Sequence, residues 1–96
     1  MELFIFARFH TREGQEDAVA ASLREVVQAT RGEPGCVAIA AFHSTREPRL
    51  FYIHSKWKDE EAFEKHAQLP HTMRFRKRME TLIAHAFEVN RTERIG

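Results

Sequence analysis

One stretch of the chain gathers Tyr52, His54, Trp57, His66 and His71, with Phe75 just beyond it. Imidazole titrates near neutral pH, so it can both take and return a proton. Aromatic rings offer flat apolar surface on which a planar organic molecule can stack. Proton transfer on a flat organic ligand is the chemistry these residue types allow.

Spacing decides which of them can meet. His66 lies three residues after Phe63 and four after Ala62, so it shares the apolar face of a helix and points at the layer beneath. His71 lies four before Phe75, on the next apolar stripe. A histidine on an apolar face can equally be a core residue bonded to a carbonyl. Two of them on adjoining faces, with His54 and Trp57 just upstream, point to a site. Strand alternation sends Leu50, Tyr52, His54 and Lys56 one way and Phe51, Ile53, Ser55 and Trp57 the other. Trp57 with His66 is therefore the favoured pair. Tyr52 and His54 would reach the same pocket only if the strand end twists.

Other chemistries find less support. His66 and His71 are five apart with Pro70 between them, unlike the i, i+4 pair of a helical zinc site, and no acidic ligand stands beside them in sequence. No metal is expected. Cys36 follows a tight turn with no base beside it and reads as a small buried apolar residue. There is no glycine-rich phosphate loop and no flavin or nicotinamide signature, so no cofactor is expected.

Periodicity defines the elements that must position these residues. Leu3 to His10 reads as a strand, with a polar turn from Thr11 to Gly14. Between Gln15 and Thr30, residues Val19, Leu23, Val26, Val27 and Thr30 form one helical stripe, and Gly32 marks its stop. Glu33-Pro34-Gly35-Cys36 has the residues of a type II turn. Cys36 to His43 and Leu50 to Trp57 read as strands joined by a hairpin loop containing Pro48. Asp59 is an N-cap candidate for a helix running to Leu69. Pro70 interrupts or restarts that helix. In the next helical segment His71, Phe75, Met79, Leu82 and Ile83 share one face. Ala86 to Arg91 is the expected fourth strand.

The order β-α-β-β-α-β predicts an α+β, ferredoxin-like fold: a four-stranded antiparallel sheet with both helices on one face. The other face, bearing apolar side chains, would be bare. A second copy is the simplest cover, so a two-fold homodimer is expected.

Bulk properties narrow the partners. The 96 residues make one domain, and a net charge of +1 gives no strong field toward nucleic acid or anionic membrane. The basic run Arg74-Phe75-Arg76-Lys77-Arg78 reads as a solvated helix face. One cysteine excludes an intrachain disulfide and suits a reducing compartment. The first residues lack a signal-peptide pattern and no run reaches spanning length, so a cytoplasmic location is expected.

Gly35-Cys36-Val37, Phe51-Tyr52-Ile53, Trp57-Lys58-Asp59-Glu60-Glu61-Ala62-Phe63 with His66, and Pro70-His71-Thr72 with Phe75 together resemble the antibiotic biosynthesis monooxygenase (ABM) family. Arg8-Phe9-His10 and Gly14 extend the resemblance over nearly the whole chain. It implies a dimeric α+β barrel with a pocket in each subunit between sheet and helices. It also implies cofactor-independent oxygenation of a small electron-rich aromatic, a quinol or polyphenol, whose anion itself reduces O2. In that chemistry His66 or His71 is the general base, His54 a second proton carrier, and Trp57, Tyr52 and Phe75 shape the aromatic site. Many relatives carry Glu where this chain has Ser55, and tyrosine at or near Ala38, which implies a different substrate. Haem-degrading relatives place Asn and Trp where Ala7 and His66 stand, which disfavours haem. A dimeric binding or stress-related module without turnover, or an isomerase or decyclase of a small metabolite, are the alternatives, since fold alone does not settle function.

Overall fold

The computed structural model describes residues 1–96. Along the chain run β1 (Leu3–His10), α1 (Glu16–Thr30), β2 (Cys36–His43), β3 (Leu50–Trp57), α2 (Glu60–Ala67), α3 (Pro70–Leu82) and β4 (Glu88–Thr92). The strands form one antiparallel sheet in the order β2-β3-β1-β4. This is the expected ferredoxin-like α+β arrangement, with the second helical element broken in two.

Local chemistry explains the breaks. Gly14 takes a φ of +85° in the turn before α1, a conformation that costs glycine nothing. Asp59 caps α2 by accepting a 2.8 Å hydrogen bond from the Ala62 amide. Pro70 then opens α3 at the position where its missing N–H does no harm. The helix after Asp59 therefore ends at Ala67, two residues short of the expected Leu69.

The apolar stripe of α1 is buried as the spacing predicts: Val19, Leu23, Val26, Val27 and Thr30. It packs with Phe9, Phe51, Ile53, Met79 and Ile83 in the larger core cluster. A smaller cluster, Leu3, Ile5, Trp57 and Ala62, lies under α2.

Three local expectations need correction. Gly35 does not adopt positive φ, so the 33–36 turn is not type II, although Cys36 N–H still bonds Glu33 O at 3.1 Å. Glycine is required there for another reason. A Cβ at Gly35 would collide with the Cβ of Ala62, so its absence lets α2 press onto the turn. Simple alternation puts Cys36 with Ala38. A register shift between them turns Cys36 onto the Trp57 side, where it packs against both core clusters. Finally, the fourth strand begins at Glu88 instead of Ala86. Further upstream, Ile83 bridges Thr11, and the Ala84 N–H bonds His10 O at 2.8 Å.

The helix-free face carries Phe6, Phe42 and Tyr52, exposed by 51%, 53% and 37%. No helix is long and apolar enough to cross a membrane.

Candidate active site

A cavity of about 680 Å³ opens between the sheet and the helices. This falls in the size range of small-molecule sites. Its walls come from β1 (Ile5, Ala7, Phe9), β3 (Ile53, Ser55), α2 (Phe63, His66) and α3 (Thr72, Phe75), and the segment Ile83–Phe87 also lines it. Phe9 anchors one wall, with Phe75 edge-on at 5.9 Å and Phe87 at 4.8 Å between ring centroids. Charged groups at the cavity include Arg12, Arg76, Glu80 and Arg91. Arg91 is paired with Glu60 and Glu64 and lies over the Phe63 ring.

His66 is the one cavity-lining histidine that also belongs to a buried polar cluster. Its Nδ1 lies 2.8 Å from Glu33 Oε2, and the same oxygen lies 2.7 Å from His71 Nε2. A carboxylate oxygen only accepts, so both rings present N–H to it. Thr72 Oγ1 lies 3.3 Å from the same Nδ1. The Glu33 side chain is 8% exposed, against 13% for His66 and 23% for His71. With Nδ1 engaged, Nε2 is the nitrogen of His66 left for a molecule in the cavity. His71 does not line the cavity.

Trp57 backs this arrangement. Its side chain is fully buried, and its ring lies 4.7 Å from that of His66 and 5.6 Å from that of Phe63. The indole N–H donates to Ser55 Oγ at 3.0 Å. An unpartnered buried N–H costs roughly 1–3 kcal/mol, so Ser55 meets a real need of Trp57. Ser55 also lines the cavity, whereas Trp57 stands behind the wall. The rings of Trp57 and His66 do meet, but Trp57 packs behind the histidine and does not line the cavity, so its expected place in the pocket is corrected.

Tyr52 and His54 are separated from this site. They pair across β1 with Arg8 and Phe6 and face away from the helices, and neither lines the cavity. The His54 ring instead lies 4.8 Å from that of Phe6 on the helix-free face. The strand end does not twist enough to bring them round, because the alternation of β3 stays regular through Trp57. A shared pocket for these two residues is thus corrected.

Glu33 is the residue that sequence reasoning missed. It sits in a turn 33 positions from His66 and 38 from His71, and no local spacing links them. The absence of an acidic partner for the two histidines is corrected accordingly. Cys36 has its thiol pKa raised, chiefly by burial and next by the Glu33 carboxylate, with smaller opposing pulls from a backbone hydrogen bond at Ala38 and from Arg31. A thiol so disfavoured as thiolate is a poor nucleophile.

Comparison with known proteins agrees with this architecture. The protein PA3566 of Pseudomonas aeruginosa superposes with a TM-score of 0.92 at 26% identity, over 99% of this chain and 95% of that one. SO0527 of Shewanella oneidensis gives 0.88 at 28% identity, over 95% and 88%. Rv0793 of Mycobacterium tuberculosis shares the fold at 0.93 and 21% identity, over 100% and 97%. The search of curated proteins finds no match. The model of the antibiotic biosynthesis monooxygenase family matches residues 3–78. That match, running from β1 into α3 and taking in Glu33, His66 and His71, establishes that the chain belongs to the antibiotic biosynthesis monooxygenase family.

Proposed function

We propose that the protein is a cofactor-independent monooxygenase for a small electron-rich aromatic, a phenol or quinol, with His66 as the general base. The observation that carries this reading is the placement of one ring. His66 lines an apolar cavity while its Nδ1 is tied to Glu33 at 2.8 Å. A carboxylate on one nitrogen orients the ring and faces the charge it gains when the other nitrogen accepts a proton.

The chemistry balances without another reductant. His66 Nε2 takes the phenolic proton. The resulting anion gives an electron pair to O2, forming a carbon–oxygen bond, and the new peroxide takes the proton back. Loss of the ring hydrogen as a proton, with cleavage of the O–O bond, releases water and leaves the quinone. Phe9, Phe75 and Phe87 offer the apolar surface for the ring, and the Ser55 hydroxyl stands on the same wall. His71 acts through Glu33, as a positioning residue.

We also infer that two copies pair through the helix-free face. Phe6, Phe42 and Tyr52 lie exposed there, and an apolar sheet face of this kind is stable in water only when covered. A monodisperse monomer at micromolar concentration in light scattering would overturn the dimer.

The deciding measurement for activity is O2 uptake with a panel of quinols and hydroxylated naphthalenes, with chelator present. Uptake that falls by about 10²–10⁴-fold in His66→Ala supports the reading. Tight ligand binding with no turnover of any substrate favours a binding module instead. Product formed under strictly anaerobic conditions favours an isomerase. A ligand-bound structure with the ligand remote from His66 would refute the site.

A further inference from the structure

We propose that Glu33, His66 and His71 form a binding site for one divalent first-row transition metal ion, of the zinc or cobalt type. Their donor atoms, His66 Nδ1, His71 Nε2 and a Glu33 carboxylate oxygen, all lie within 4.8 Å of one another. They come from three separate pieces of chain: the turn before β2, α2 and α3. Two imidazoles with one carboxylate, leaving a position for water, is a donor set that zinc and its neighbours favour over magnesium or calcium.

The geometry is close to what an ion needs. Tetrahedral bonds of about 2.0–2.1 Å place ligand atoms roughly 3.4 Å apart. Glu33 Oε2 now sits 2.8 Å and 2.7 Å from the two nitrogens, in the space between the rings. To reach that spacing the carboxylate backs away by roughly half an ångström and the two ring nitrogens, within 4.8 Å of each other, adjust to the same separation through their side-chain torsions. Each ring then shifts its proton to the other nitrogen, so both remain neutral ligands. The cluster is accessible through His71, whose side chain is 23% exposed. Thr72 Oγ1, 3.3 Å from His66 Nδ1, stands beside the fourth position.

Occupancy has a consequence that rests on the proposed function. An ion on His66 Nδ1 leaves Nε2 carrying hydrogen, so the ring can no longer accept a proton from the cavity. The metal would therefore silence the base. The site itself does not depend on that role.

The test uses tag-free protein and the ions alone. Co2+ titration should give a tetrahedral visible absorption band saturating at one ion per chain. Zn2+ should displace Co2+ and be taken from a chromophoric chelator of micromolar affinity. Glu33→Gln and His71→Ala should each weaken Zn2+ binding about tenfold or more, with the fold checked by circular dichroism. His71→Ala alters the most exposed of the three residues, so it keeps the test available if Glu33→Gln fails to fold. The other close histidine pair, His10 and His85, has ring centroids 5.7 Å apart. His10→Gln/His85→Gln should leave the affinity unchanged. Absence of the band, affinity unchanged in His71→Ala, or loss of binding in His10→Gln/His85→Gln would each overturn the proposal. A Co2+ band with undiminished O2 uptake by the loaded protein would keep the metal site and refute the base assignment. No band, together with an inactive His66→Ala, would do the reverse.

Discussion

Glu33 and His66 are 33 positions apart in the chain and 2.8 Å apart in the fold. The turn that carries Glu33 meets α2 because Gly35 presents no side chain to Ala62. The Lys58 N–H closes the same junction by bonding Gly35 O at 3.0 Å. A residue with no functional group thus sets the distance between two that have one.

Gly35→Ala should therefore destabilise the fold by about 1–3 kcal/mol, the usual cost of overpacking. Urea unfolding would measure it. Ala62→Gly alone should cost about 1 kcal/mol through helix propensity. In the double variant the collision is gone, so its loss should be clearly smaller than the sum of the two.

Ser55→Ala should cost about 1–3 kcal/mol by stranding the Trp57 N–H in the core. The chain has a single tryptophan, so its fluorescence reports this site alone. The emission should change in the folded variant and be the same as wild type in denaturant. An unchanged melt would show that another acceptor serves the indole.

Thr30→Val should stabilise the protein by about 1 kcal/mol. The Thr30 hydroxyl is buried without a hydrogen-bond partner, and valine has nearly the same shape with no polar atom to leave unsatisfied. For a domain of this size the midpoint of thermal unfolding should rise by about 4–8 °C.

Cys36 gives a pH dependence. Its thiol pKa is raised above the ordinary 9.0 by burial and by Glu33. The folded state therefore holds the proton more tightly than the unfolded chain does. The contribution is fully present below the ordinary thiol value and is lost as pH rises through the raised one. Wild type should lose stability relative to Cys36→Ala between neutral pH and the alkaline side of the thiol range. Parallel urea curves at the two pH values would check it. Alkylation by iodoacetamide at mildly alkaline pH should be slower in the native than in the unfolded protein.

Much of the architecture is legible in the chain because it rests on short-range periodicity. The spans Leu3–His10, Cys36–His43 and Leu50–Trp57, the α1 stripe and the Asp59 cap all arise from alternation, helical spacing and capping. These signals are local, and the structure satisfies them except at Cys36, where a register shift breaks the alternation. The start of β4 is less legible: just upstream of it Ile83 and Ala84 are tied to Thr11 and His10 by contacts that no local pattern records.

The site divides along the same physical line. Near neighbours in the chain dictate that His66 faces the sheet, that Trp57 is on the inner face of β3, and that Tyr52 and His54 share the other face. Each needs only the few residues on either side. Packing between distant segments settles the rest: Glu33 joins His66 and His71, Gly35 serves close approach instead of a positive φ, and His66 is the histidine of that cluster on the cavity wall. How closely helices, turn and sheet can approach sets these contacts, and helical or strand periodicity carries no record of them.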